Sequence, residues 1–334
     1  MVQTQEIQTG LTRQRHDVDI LVVLIAVSVM PLFLYGMPAF WLLLTTVLTA
    51  VAAEYICQRV AGKRRIEKGD LSYLITAFVT ALLLPASAPV WVGAAAVTFA
   101  LCVAKHPFGG RGANIFNPAA AGVAFVTLCW PEFFKKYPIP FSLIDGVYSY
   151  MDSPASTLRV GGTPKIGRLD MILGNFAGPM GATCVIVLLC CLLFLAYRRS
   201  ACIRAIIPAF GVVAVVAVLF PRLATGRINS LIFELCSGAL MFGLTFMVSD
   251  PGTLPKLKSG RVVYGLLIGV LVVIFRRFGA FDMEMAFVIL LANALASACD
   301  GYALFVIKQF NRLKARLLEK KAAKAEEKAG DGNA

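Results

Sequence analysis

Charged side chains are scarce in this sequence, and histidine is scarcer still. Of 334 residues, 15% are charged, 19 are acidic and two are histidine. Soluble globular domains are usually about 25% charged, so the composition excludes an ordinary soluble enzyme. The nine cysteines are scattered, without a Cys-x-x-Cys pair or histidines at ligand spacing. Neither a disulfide framework nor a metal site is therefore expected.

Hydrophobic residues take the place of the missing charge. They make up 58% of the chain, and the mean hydropathy is +0.76. A membrane-crossing helix needs about 20 predominantly apolar residues. Ten apolar runs approach or reach that length: 19–36, 38–58, 71–86, 89–104, 115–130, 171–197, 205–220, 229–249, 262–275 and 285–307. The sequence predicts an all-α polytopic membrane protein with about ten transmembrane helices, or nine if one of the short runs 115–130 and 262–275 does not cross.

The basic residues predict the orientation of the chain, because Lys and Arg collect in cytoplasmic loops. With the amino terminus inside, 23 of the 32 Lys and Arg residues fall in inner segments. Residues 1–18 and the basic tail 308–334 are then cytoplasmic, and the long loop 131–170 is extracytoplasmic. No signal peptide is predicted in the polar first segment. Contact with anionic membrane lipid explains the net charge of +13, so no nucleic-acid partner is expected.

A glycine-rich segment with two asparagines separates two apolar runs between Gly109 and Gly122. Glycines and an Asn-Pro step break helices. Non-helical backbone at membrane depth persists only where protein or a lined cavity satisfies its polar groups. The polar and glycine positions of this segment are therefore predicted to line a cofactor or ion pocket; they are Gly110, Gly112, Asn114 and Asn117.

A weak internal repeat relates the two halves of the chain. Residues 82–85, 105–110 and 117–119 correspond in order to residues 248–251, 276–280 and 293–296. Five spans in each half would place the halves in opposite orientations. We therefore expect two inverted five-helix repeats with broken helices, over residues 19–130 and 171–307. Asn293 is the expected counterpart of Asn117 in a shared site.

Two acidic residues, Glu54 and Glu234, fall inside apolar runs. A carboxylate in hydrocarbon costs at least about 2.5 kcal/mol and is usually placed for use. Both are candidates for an ion or proton path. Alternatively, a neighbouring helix dipole or hydroxyl group satisfies each of them, or each lies at a membrane interface because its span ends about one turn away from the limit of the run.

The loop 131–170 carries the segment Asp152-Ser153-Pro154-Ala155-Ser156-Thr157-Leu158. Taken alone, this is a turn-rich stretch of small hydroxyl residues. An exposed alcohol can also hold a phosphorylated cofactor through a phosphoester. The residues by themselves leave both interpretations open.

Four blocks of this sequence resemble one family of membrane electron-transport subunits. Residues 110–119, Gly-Arg-Gly-Ala-Asn-Ile-Phe-Asn-Pro-Ala, are similar to the Gly-x-Gly-x-Asn-x-Phe-Asn-Pro-Ala signature of the Rnf D subunit, which the B subunit of the sodium-pumping NADH:quinone reductase shares. The other blocks are 69–72 with 82–85, 250–251 with 258–260, and 278–279 with 293–295. The similarity spans nearly the whole chain, and the compact length favours the Rnf D subunit.

The resemblance implies electron transfer between reduced ferredoxin and NAD⁺, coupled to Na⁺ or H⁺ translocation across the inner or plasma membrane. It implies the other Rnf subunits (A, B, C, E and G) as partners, since the D subunit alone completes no reaction. It also implies flavin mononucleotide (FMN) joined by a phosphoester to Ser156 or Thr157. Ser156 stands in register with the family's threonine, whereas Thr157 matches it in residue type. Two departures are Pro154, in place of the family's glycine, and Asp152, which lies nearer the hydroxyls than the family's acid.

Three points stay open after the resemblance. A second, non-covalent flavin such as riboflavin is compatible with it. The inverted-repeat plan with polar broken helices also suits a small-solute channel or transporter, which would have no use for the hydroxyl loop. A non-redox scaffold subunit would retain no cofactor on purification.

Overall fold

The computed structural model describes residues 2–62, 70–110, 112–144, 147–223, 226–279 and 282–331. Within these ranges, side chains are described from Gln14 to Arg312 and at Lys314. Gly69 and Arg111 of the sequence blocks above lie outside the described residues, as does the segment 63–68, which contains four basic residues.

Helices account for almost all of the regular structure in the described ranges. The first half contains α1 (Val2–Tyr35), α2 (Met37–Val60), α3 (Ser72–Leu83), α4 (Val90–Phe99) and α5 (Pro118–Cys129). The long loop contains a 3₁₀ turn (Pro131–Phe134), β1 (Tyr137–Pro138), β2 (Tyr150–Met151) and α6 (Pro154–Arg159), and α7 (Arg168–Leu173) begins at its end. The second half contains α8 (Val185–Tyr197), α9 (Ile203–Leu219), α10 (Arg227–Cys236), α11 (Leu240–Phe246), α12 (Lys258–Phe278), α13 (Glu284–Ala294) and α14 (Ala296–Asp331).

Four helical segments are long and apolar enough to cross a membrane on their own. They are Gln14–Tyr35, Met37–Val60, Val90–Phe108 and Lys258–Phe278. Two pairs, α10 with α11 and α13 with α14, are bent by 52° and 58° and each counts as one span if the pair crosses together. Four shorter apolar helices are α3, α5, α8 and α9. The prediction of a polytopic helical membrane protein is confirmed, with four to six spans by length where the apolar runs suggested about ten.

Backbone breaks explain why several helices are shorter than the apolar runs that contain them. Helix α3 has 12 residues, and at 1.5 Å per residue it covers about 18 Å, whereas the hydrocarbon core is about 30 Å thick. Its continuation is irregular from Leu84 onward. This backbone is paired with protein: Met180 and Gly181 donate to the carbonyls of Leu84 and Leu82 at 3.1 and 2.7 Å. Such pairing is what irregular backbone at membrane depth requires.

Each half of the chain is held together by contacts among its own helices. In the first half, α2 packs against α3 and α4, and α4 packs against α5. In the second half, α9 packs against α10 and α12, and α12 packs against α13. Small residues allow the closest approaches, since a Cβ at Gly122 would collide with the carbonyl oxygen of Ala96, and one at Gly265 with that of Ala205. The halves meet where α5 contacts α13.

The long loop is a folded cap rather than an irregular connection. Strands β1 and β2 pair antiparallel, so the all-α expectation is wrong for this short hairpin. The Tyr148 hydroxyl donates to the carbonyl of Tyr35, at the end of α1, at 2.7 Å, and Phe141 donates its N–H to the carbonyl of Leu34 at 2.9 Å. The loop therefore lies at the end of the bundle where α1 finishes.

Candidate functional site

The hydroxyl segment of the long loop folds as the six-residue helix α6. Ser153 is its N-cap, and its side-chain oxygen accepts the N–H of Ser156 at 3.0 Å. Pro154 occupies the first helical position, where the missing N–H costs nothing. The departure from the family's glycine at this position is therefore compatible with a well-formed turn.

Ser156 and Thr157, the expected attachment residues, are neighbours in this short helix. Each hydroxyl donates to the carbonyl oxygen of Ser153, both at 2.9 Å. Both side chains are partly exposed. The structure brings the two alcohols to the surface in equivalent hydrogen bonds, so the geometry does not separate them.

Helix α6 is tied to the second half of the chain through Asp282, in the connection between α12 and α13. The Ser153 hydroxyl donates to Asp282 Oδ2, and Arg159 Nη2 lies 2.7 Å from Asp282 Oδ1. Burial raises the pKa of Asp282 above its usual value, although the bonds from Ser153 and Arg159 act in the opposite direction. Helix α6 is thus fixed at both of its ends to one buried carboxyl group.

Replacing Ser153 with alanine removes the cap of α6 and one of the two bonds to Asp282. Loss of an N-cap costs about 0.5–2 kcal/mol, and we expect a loss of this size in the free energy of unfolding, measured by denaturant titration in mixed micelles. Ser149→Ala is the matched control, because Ser149 is exposed in the same loop. An equal loss in the two variants would contradict the assigned cap.

Asn117 and Asn293, the expected counterparts, are in direct contact where α5 meets α13. With the Asn293 amide oriented to suit both neighbours, its oxygen accepts the N–H of Asn117 at 2.8 Å and its nitrogen donates to the Tyr264 hydroxyl at 2.7 Å. The Asn117 side chain caps α5 by accepting the N–H of Ala120 at 3.1 Å. Its amide nitrogen lies 3.4 Å from Asp250 Oδ2. The two asparagines therefore belong to one hydrogen-bonded cluster that joins the halves.

Asn114 and Asn117 also line a cavity of about 70 Å³, together with residues that include Asp17, Ser72 and Asp250. The Asn114 side-chain oxygen is buried and has no hydrogen-bond partner in the described part of the chain. Gly110 and Gly112 have φ values of 84° and 77°, a region that favours glycine. The structure thus places the asparagines at the cavity and the glycines in the turn that leads to it.

Glu54 lies in a buried charged cluster at the opposite end of the bundle from the long loop. Its Oε2 is 2.9 Å from Lys105 Nζ and 3.0 Å from His106 Nε2, and its Oε1 accepts from Gln58 at 2.7 Å. Glu54 is fully buried and Lys105 is 1% exposed. Asp70 approaches the same ammonium group at 3.7 Å. The Glu54 carboxylate is therefore satisfied by the Lys105 ammonium group, and not by a helix dipole or a hydroxyl group as considered above.

Glu234 lies in a second buried charged cluster, at the end of the bundle that carries the long loop. Arg276 bridges Glu234 and Glu284, with contacts of 3.3 and 2.9 Å to the two carboxylates. Its guanidinium group also donates to the backbone carbonyls of Glu234 and Ser237. These carbonyls end α10, so Arg276 satisfies acceptors that the helix break leaves without intrahelical partners.

The basic members of both clusters do not stand out in the sequence. The limits of the apolar runs place Lys105 and Arg276 in loops, whereas the structure places Lys105 in a π-helix (Ala100–Lys105) and Arg276 in the last turn of α12. The signal that could have found them is the pair of acids inside apolar runs, because an intramembrane carboxylate needs a partner. Asp282 lies between two apolar runs, so the sequence did not single it out as a buried acid.

Comparison with known proteins finds a family match along most of the chain. The family model described as the NQR2, RnfD, RnfE family matches residues 3–305. The D subunit of an ion-translocating oxidoreductase complex from Stutzerimonas stutzeri is 28% identical over 320 residues, covering 86% of this chain and 90% of the relative. The D subunit of the proton-translocating ferredoxin:NAD(+) oxidoreductase complex of Clostridium ljungdahlii is 28% identical over 285 residues, covering 82% and 85%. The D subunit of the Na(+)-translocating ferredoxin:NAD(+) oxidoreductase complex of Acetobacterium woodii is 28% identical over 274 residues, covering 81% and 82%.

Proposed function

The chain belongs to the NQR2, RnfD, RnfE family, and from this premise we propose that it is the D-type membrane subunit of an ion-translocating ferredoxin:NAD⁺ oxidoreductase complex. The observation that carries the proposal is a match along most of the chain to relatives whose names state this activity. Because those relatives include a proton-translocating and a Na⁺-translocating complex, the coupling ion is Na⁺ or H⁺. The partners are the other subunits of the complex, A, B, C, E and G, and the surrounding plasma- or inner-membrane lipid.

We propose that the hydroxyl of Ser156 or Thr157 holds FMN through a phosphoester. The local structure supports this: two partly exposed alcohols lie in a helix that is fixed by Ser153 and Asp282. A bound flavin supplies one-electron carriage, and a covalent link prevents its loss between electron transfers. The contribution of the chain is placement, because the anchored helix keeps the attachment oxygen at one end of the bundle.

The domain organisation that we propose keeps the boundaries predicted from the sequence. Residues 19–130 and 171–307 form two inverted repeats, residues 131–170 form the extracytoplasmic loop with the attachment helix, and residues 1–18 and 308–334 are cytoplasmic. The matching packing of α2, α3, α4 and α5 with α9, α10, α12 and α13 supports the repeat. The two buried clusters support its inversion, since Lys105 and Arg276 occupy corresponding positions yet lie towards opposite ends of the bundle.

The ion path that we propose uses Glu54 on the cytoplasmic side and Glu234 on the outer side. The cavity at Asn114 and Asn117 lies at the junction of the repeats. Oxygen ligands of this kind suit Na⁺, and carboxylates also carry protons. Contact between Asn117 and Asn293 supports a site shared by the repeats.

Flavin fluorescence on a denaturing gel tests the attachment. We expect the wild-type chain, produced in cells that contain the flavin transferase, to give a fluorescent band. Because only covalently held flavin survives denaturation, the double variant Ser156→Ala/Thr157→Ala should give a dark band, and the two single variants identify the attachment residue. Thr163→Ala, exposed in the same loop, is the control and should remain fluorescent.

Two results of this experiment would contradict the proposal. A dark wild-type band would show that the chain carries no covalent flavin, and would favour a scaffold subunit or a channel. A fluorescent double variant would move the attachment to another residue.

A further inference from the structure

A cleft of about 450 Å³ opens beside the attachment helix. Its walls include Leu158, Arg159 and Gly161, which closely follow Ser156 and Thr157 in the chain. The other lining residues come from the α9–α10 connection and the end of α12: Phe220, Pro221, Arg222 and Arg277. Three guanidinium groups from distant parts of the chain therefore converge on one cleft.

The three arginines differ in how far carboxylates neutralise them. Arg159 pairs with Asp282 at 2.7 Å, and Arg222 pairs with Glu234 at 3.1 Å. Arg277 has no ion pair with any described carboxylate. It forms a hydrogen bond of 3.3 Å to the carbonyl of Phe220, and its guanidinium carbon lies 5.9 Å from the centre of the Phe220 ring.

Arg222 is partly buried and lies close to other cations. Burial lowers the pKa of Arg222, Glu234 raises it, and repulsion from the guanidinium groups of Arg277, Arg276 and Arg159 lowers it. An anion in the cleft would relieve this repulsion and would satisfy the remaining donors of Arg277. Guanidinium groups present parallel N–H donors that match phosphate oxygens.

We propose that the cleft lined by Arg159, Arg222 and Arg277 binds the phosphate group of a phosphate ester. Two sources supply this chemistry: the flavin phosphoester on Ser156 or Thr157, or the headgroup of an anionic phospholipid. Only the first source rests on the proposed function. Arg277 is the residue with most to contribute, because its charge has no carboxylate partner among the described residues.

Inorganic phosphate is the probe for the full-length chain purified from cells without flavin transferase, in a zwitterionic detergent. Phosphate should raise the thermal midpoint above that in sodium chloride of equal ionic strength. In Arg277→Gln, about tenfold more phosphate should be needed, as expected for loss of a charge-assisted hydrogen bond. Arg277→Lys should keep part of the effect. Arg168→Gln, which removes an exposed arginine near the same loop, should respond as wild type does.

Two further measurements distinguish the flavin from a phospholipid as the source of the phosphate. If the flavin fills the cleft, the chain made with flavin transferase should lose its response to inorganic phosphate. If lipid fills it, that chain should still respond, and mixed micelles containing phosphatidylglycerol should abolish the response in wild type and not in Arg277→Gln. Equal midpoints in phosphate and chloride, or an unchanged phosphate response in a folded Arg277→Gln chain, would overturn the proposal. A dark band in the gel experiment would not affect it, because this assay uses the flavin-free chain.

Discussion

Arg276→Met is expected to cost the chain about 3–5 kcal/mol of unfolding free energy, the range for removal of one partner from a buried ion pair. Arg276 is 5% exposed and holds Glu234 and Glu284, which are 7% and 2% exposed. Its loss leaves Glu284 without a cation among the described residues and leaves Glu234 with Arg222 as its remaining cation. The carbonyls of Glu234 and Ser237 also lose their donor. Denaturant titration of the purified chain in mixed micelles measures the change.

The neighbouring arginine provides the control for this prediction. Arg277→Gln alters a side chain that is partly exposed and has no described carboxylate partner, so its cost should be well below that of Arg276→Met. Adding Glu284→Gln to Arg276→Met should recover part of the loss, because one unpaired charge is removed. Equal costs for Arg276→Met and Arg277→Gln would show that Arg276 does not hold the break between α10 and α11.

Lys105→Met is the second substitution with a large expected effect. It removes the ammonium group from fully buried Glu54, which keeps His106 and Gln58 as contacts among the described residues. A loss of about 3–5 kcal/mol in unfolding free energy is again expected. The double variant Lys105→Met/Glu54→Gln should be more stable than Lys105→Met alone. A double-mutant cycle gives the coupling energy of the pair.

Function and stability can be separated at this cluster. If Glu54 carries the coupling ion, Glu54→Gln in the purified complex should retain ferredoxin:NAD⁺ electron transfer better than ion uptake into reconstituted vesicles. Lys256→Met, an exposed lysine at the same end of the bundle, should alter neither. Ion uptake that remains fully coupled in a folded Glu54→Gln complex would exclude Glu54 from the path.

The apolar runs predicted where helices form but not where they break. Runs 71–86 and 171–197 read as single spans, yet the helices break at Leu84 and over residues 174–184, where Met180 and Gly181 donate to the carbonyls of Leu84 and Leu82. That pairing joins residues about a hundred positions apart. A window of local hydropathy contains no information about it.

The positions of basic residues along the sequence did not predict which of them are buried. Lys105 and Arg276 read as loop residues because each stands at the end of an apolar run. Their burial depends on Glu54 and Asp70 in one case, and on Glu234 and Glu284 in the other. A basic residue at the end of an apolar run is buried if the folded bundle places a carboxylate beside it, and is solvated otherwise. The local sequence does not show which of the two applies.

The sequence by itself determined the class of this protein, its family, the two asparagines at the junction of the halves and the hydroxyl segment of the long loop. These depend on composition and on short motifs, which are local properties of the chain. The tertiary structure alone decided that Asp282 anchors helix α6, that Lys105 and Arg276 neutralise Glu54 and Glu234, and that three arginines share one cleft. Each of these depends on contacts between residues distant in sequence, and helix packing is what sets those distances.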